Sequence, residues 1–200
     1  MNALGLVTSL LVAALLEMLN HPTSHAVGPV ATPIGRGPRF ELPPGARADR
    51  GEPIGGLRCG PAGGAWSEAH VEVFALGRVV ILPPGIGVAT PRRQVGAVVR
   101  SGRCVYPART ADPTGVVRFR PGRGLDLAAV FAVWGEPLSR HRLLGFRSRE
   151  GVRVYVDGRR VAGRPGVVPL RRHAEIVVEL GAYVRPHRSY LFVDGKAATA

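Results

Sequence analysis

The sequence predicts a mainly β fold: a small antiparallel β-sandwich or partly closed barrel with one short helix. Three observations predict it. Glycine (27) and proline (18) make up over a fifth of the 200 residues, a composition that favours turns and short strands over long helices. From Leu57 onward, short runs alternate apolar and polar residues and end in turn residues, which is the period of a half-buried strand. Asp-Gly pairs stand at 157–158 and 194–195, and Asp-Gly suits the type I′ turn of a two-residue hairpin because both central residues need positive φ.

The chain divides into three segments. Ala3 to Leu16 is apolar apart from Thr8 and Ser9, and Ser24-His25-Ala26 is a small-x-small sequence at which a signal peptidase would cut. Residues 1–26 therefore read as a signal-peptide-like or membrane-anchor segment, although no Lys or Arg precedes the apolar run. It is short for a bilayer span. Residues 27–56 carry Pro29, Pro33, Pro38, Pro43, Pro44 and Pro53 among many glycines, which reads as an extended linker. Residues 57–200 are the expected β-rich domain.

Within that domain His70-Val71-Glu72-Val73-Phe74 alternates, and Val79 to Leu82 follows Gly77-Arg78 as the second arm of a hairpin. Pro83-Pro84-Gly85-Ile86-Gly87 forces a bend. Val95 to Val99 and Cys104 to Tyr106 are further strand candidates. In Gly115 to Arg120, Val117 and Phe119 face inward and Arg118 and Arg120 outward. Val152 to Val156, Arg159 to Val161 and Ala174 to Leu180 complete the strands. One short helix begins at Asp126 as N-cap, places Leu127, Val130, Phe131 and Trp134 on one face and ends at Gly135.

The net charge is +13, which raises nucleic-acid binding as a function. The basic residues are nearly all Arg, with Lys196 the only lysine, and they are scattered without a Lys/Arg block. Aromatic residues are sparse and do not interleave with them as on a single-strand platform. The pattern argues against nucleic acid and points to acidic partners more generally, such as an anionic envelope polymer or protein. Contact with membrane is expected only through the N-terminal segment. Cys59 and Cys104 are the two cysteines. An even count in an exported chain suggests a disulfide; two buried thiols are the alternative.

Catalytic motifs are missing. The sequence holds no G-x-S-x-G, no P-loop and no Cys placed with a His partner. Asp and Glu are few and dispersed, and within residues 57–200 the histidines form no H-x-H or H-x₃-H pair. The expectation is a non-enzymatic protein with no cofactor, secreted or attached to the cell envelope.

Three blocks, in order and at matching spacing, carry a resemblance across about two-thirds of the chain. Leu82-Pro83-Pro84-Gly85-Ile86-Gly87-Val88 resembles "iPaGIGi". Cys104-Val105-Tyr106, with Thr110, Asp112 and Gly115-Val116-Val117, resembles "C-x-Y-W-L-H-T-H-D-x-x-G-I-I-H-V-E". Leu125 to Leu138, with Phe131, Trp134-Gly135 and Pro137-Leu138, resembles "f-t-L-G-x-F-F-x-i-W-G-x-P-L". These patterns are those of a family of uncharacterised exported bacterial proteins. Its histidines alternate along strands, which would gather them on one sheet face around a transition metal. Here Arg109, Ala111, Arg118 and Arg120 stand at the counterparts of the H-T-H-D and H-V-E positions, with Thr110 and Asp112 retained. Upstream only His70 remains, with Trp66 and Glu68 at other His positions.

Arg cannot lose its proton at accessible pH or ligate a metal. The resemblance therefore implies a kept scaffold without its original site. In one reading the three arginines are solvated surface charge. In the other, Arg109, Arg118 and Arg120 converge to bind a carboxylate or phosphate. A second function would be a metal site rebuilt from His70 and Asp112 with Glu68 or Glu72. A third, nucleic-acid binding, would require a continuous Arg face.

Overall fold

The computed structural model describes residues 46–192. The signal-like segment and the Asp194-Gly195 turn lie outside the described residues. Those described are mainly β with one α-helix, as the composition and alternation predict. The strands are β1 (Ser67–Ala75), β2 (Arg78–Val80), β3 (Arg92–Val95), β4 (Val98–Gly102), β5 (Ala108–Thr110), β6 (Val116–Phe119), β7 (Leu138–Ser139), β8 (Arg142–Leu143), β9 (Phe146–Arg147), β10 (Val152–Val156), β11 (Arg159–Val161) and β12 (Glu175–Leu180). The helix α1 spans Leu127–Trp134.

Seven strands form one sheet in the order β11-β10-β12-β1-β6-β5, with β2 also paired to β1. β1 is long enough to serve two partners on one edge. Its first half pairs antiparallel with β6 and its second half with β2. Its other edge pairs parallel with β12, His70 opposite Glu175 and Glu72 opposite Val177. The sheet is thus mixed at its centre, where an antiparallel arrangement was expected. A parallel neighbour requires a long crossover, and the chain between β6 and β12 supplies it through α1, the β7–β9 meander and the β10–β11 hairpin.

Alternation gives this sheet two different faces. Ala69, Val71, Val73, Val117, Phe119, Ala108, Ile176, Val178, Leu180, Val154 and Val156 point to one side and join the main core with α1. α1 buries Leu127, Val130, Phe131, Val133 and Trp134, is capped by Asp126 accepting from the Ala129 N–H, and ends at Gly135, as read from the sequence. The opposite face carries Glu68, His70, Glu72, Arg109, Arg118, Glu175, Glu179 and Arg153. Every residue of β12 is buried, so its polar residues are covered as well as its apolar ones.

Asp157 (φ 52°) and Gly158 (φ 77°) turn β10 into β11 as the Asp-Gly pair predicted. Three expectations are corrected. Val95 to Val99 is a hairpin: Val95 pairs with Val98 across Gly96, and only Val99 is buried. Around Cys104 to Tyr106 there is no ladder, because Val105 makes isolated bridges to Gly60 and Val88. The end of the proline-rich stretch is packed: Ala48 is buried, Asp49 pairs with Arg92, and the Tyr106 hydroxyl donates to the Glu52 carbonyl. A buried phenol needs an acceptor, and residue 52 brings one.

The Pro-Pro-Gly-Ile-Gly bend is fastened to β5 by Thr110. The Ile86 N–H donates to Thr110 Oγ1 (3.1 Å), whose hydroxyl donates to the Pro83 carbonyl (2.7 Å). Gly87 has φ +67°, and a Cβ there would lie 2.1 Å from the Ala108 carbonyl oxygen. Gly87→Ala combines left-handed strain with a backbone clash. It is expected to lower unfolding free energy by roughly 2–4 kcal/mol in urea denaturation.

Candidate functional site

The polar face of the large sheet holds nearly all the residues singled out from the sequence. β1 places Glu68, His70 and Glu72 on it by simple alternation. Register then sets Arg118 beside Glu68 and Arg109 beside Arg118. Arg118 Nε donates to Glu68 Oε1 at 2.8 Å. Arg153 Nε donates to Glu179 Oε1 at 2.7 Å.

Arg109, Arg118 and Arg120 do come together, around Trp66. The Arg120 guanidinium lies 3.9 Å from the Trp66 ring centroid and that of Arg109 4.6 Å, within cation–π range. Arg120 also donates to the carbonyls of Ala65 (3.1 Å) and Pro61 (3.0 Å). Arg109 differs from the other two. It pairs with no carboxylate among the described residues, and its buried Nε has no hydrogen-bond partner. Burial, then the Arg118 and Arg120 charges, push its pKa below the usual guanidinium value. Arg120 further lines an open groove of about 780 Å³ with Arg58, Arg123 and Cys59, and no carboxylate lines it. Cys59 is disulfide-bonded to Cys104, with Cα atoms 5.5 Å apart.

A second cluster lies on the same face where β1 meets β12. His70 and Glu175 are each 1% exposed and Glu72 is 5% exposed. Parallel register sets His70 opposite Glu175. His70 Nε2 is 2.8 Å from the Thr114 carbonyl oxygen. A carbonyl only accepts, so Nε2 carries a proton, and Nδ1 faces Glu175 Oε2 at 2.8 Å. Glu175 Oε1 is buried without a partner. Burial raises the Glu175 pKa above the usual carboxylate value, against the opposing hydrogen bond from His70.

The segment after β12 covers this cluster. Tyr190 stacks on His70, centroids 3.9 Å apart. His187 Nδ1 contacts both Glu72 oxygens, at 2.8 and 2.9 Å. That hydrogen bond, reinforced by the Glu72 charge, raises the His187 pKa.

Asp112 does not join His70. Its Oδ1 accepts from the N–H and hydroxyl of Thr114 and shapes the turn into β6. The carboxylates, dispersed in sequence, are in part gathered in space, because parallel pairing brings Glu175 to Glu72 and His70. Glu175 was legible only as a carboxylate on an alternating strand. His187 had no signal, since 115 residues separate it from Glu72. No family model, curated protein or solved structure matches the chain.

Proposed function

We propose that this protein is an exported, non-enzymatic binding module that takes an anionic ligand at Arg109 and along the adjoining groove. The observation that carries this reading is the buried Arg109 Nε–H with no acceptor, in a group of three arginines with which Glu68 alone among the described carboxylates pairs. A buried donor without a partner is costly, and a carboxylate or phosphate oxygen would satisfy it with a charge-assisted bond. Arg120 belongs to both this group and the groove, so a ligand seated at Arg109 has a continuous basic path past Arg58 and Arg123. That geometry suits an acidic polymer of the cell envelope better than a single small anion. The disulfide is compatible with an oxidising compartment.

Titration of the full chain with inorganic polyphosphate tests the reading. Arg109→Ala is expected to weaken binding by at least about tenfold, or 1.4 kcal/mol. Arg159→Ala, on exposed β11, should change it little. Equal losses from both substitutions would mean attraction to net charge alone and would overturn the site. Tighter binding to duplex DNA that ignores Arg109→Ala would instead favour the nucleic-acid reading.

A further inference from the structure

We infer that His70, Glu72, Glu175 and His187 form a binding centre for a divalent transition-metal ion, with zinc the best match to its donors. It is separate from the arginine site. One atom from each of His70, Glu72 and Glu175 lies within 4.8 Å of the others, and His187 Nδ1 is in contact with Glu72. Two imidazoles and two carboxylates match the nitrogen and oxygen ligands and the four-coordination that zinc favours. Two carboxylates also neutralise a dication, which removes the charge penalty of burying it.

Two further observations point to a ligand at this place. Glu175 Oε1 is buried and unpartnered, and a carboxylate oxygen so placed calls for a proton, a water or a cation. His70 is held as metal-bound histidines are: its Nε2–H donates to the Thr114 carbonyl, which aims Nδ1 at the carboxylates.

The four residues come from three stretches of chain. β1 supplies His70 and Glu72 on one face, β12 supplies Glu175 by register, and the covering segment supplies His187. His187 is the ligand nearest solvent, with 62% of its side chain exposed. The ion's route in and out therefore passes His187, while Tyr190 shields the His70 ring. Both cysteines are in the disulfide, so a thiolate contributes nothing here.

The test uses the full chain, purified without a histidine tag, stripped with chelator and titrated with zinc. One equivalent is expected to bind and to raise the melting temperature. Cobalt in place of zinc should give the visible absorption of a four-coordinate nitrogen–oxygen site, without thiolate charge-transfer bands. His187→Ala, at the exposed edge, should lower affinity by at least about tenfold, and Glu72→Gln should do the same from within. His141→Ala, beyond the cluster, should leave the equivalent intact. Absence of bound zinc, binding only as several weak equivalents, or unchanged affinity in both His187→Ala and Glu72→Gln would overturn the centre. Loss of zinc in these two variants with polyphosphate binding retained would show the two sites to be independent.

Discussion

His70→Ala is expected to destabilise the metal-free protein by about 3–5 kcal/mol, the usual cost of removing the partner of a buried carboxyl group. The substitution leaves Glu175 1% exposed with neither of its oxygens partnered by a side chain, since Oε1 already lacks a partner. It also removes the ring on which Tyr190 stacks, so the covering segment loses one of its anchors. Two measurements check this. Urea denaturation should show the loss of stability, and trypsin should cut faster after Arg188. Adding Glu175→Gln should recover part of the loss, because much of the cost is the unpaired charge; the two substitutions are then strongly non-additive. A His70→Ala protein within 1 kcal/mol of the parent would show that the pair contributes little.

Removal of the disulfide, by Cys59→Ala with Cys104→Ala, is expected to cost about 4 kcal/mol for a loop of this length, on the chain-entropy model. The two cysteines are 45 residues apart in sequence. That cost is a large part of the roughly 5–15 kcal/mol by which domains are stable. The bond joins a stretch with little ladder of its own to the Val105 bridges, so few backbone hydrogen bonds would replace it. Because Cys59 lines the basic groove, polyphosphate binding should weaken along with stability. Thermal melts with and without reductant provide the check. An unchanged midpoint in reductant would mean that burial alone holds the loop.

Much of the fold could be read locally. The Asp126 cap, the apolar face of α1 and the Gly135 stop are all local signals, and each appears in the structure. The same is true of the Asp157-Gly158 hairpin and of the inward Val117 and Phe119. The misreadings share a cause. Val95 to Val99 is apolar at both ends, but Gly96 takes positive φ and folds the run back on itself. Composition alone also makes residues 46–56 look like linker, yet Asp49 and the Glu52 carbonyl meet Arg92 and Tyr106 from 43 and 54 residues away.

The candidate sites show the same division. Alternation along β1 put Glu68, His70 and Glu72 on one face, and alternation along β6 put Arg118 on the outward one. Neither pattern carries strand order. Whether Arg109 reaches Arg118 depended on β5 lying next to β6. Whether Asp112 or Glu175 meets His70 depended on a parallel neighbour 105 residues away.

By itself, then, the sequence determined the strand-rich class, the helix and its limits, the turn positions and which residues share a face, because propensity, capping and alternation act over a few residues. Tertiary structure alone decided the partners across strands, the covering of β12 by the chain that follows it, and the meeting of His187 with Glu72. Those contacts close long loops, and their free energy comes from burial and charge pairing between segments that carry no local record of one another.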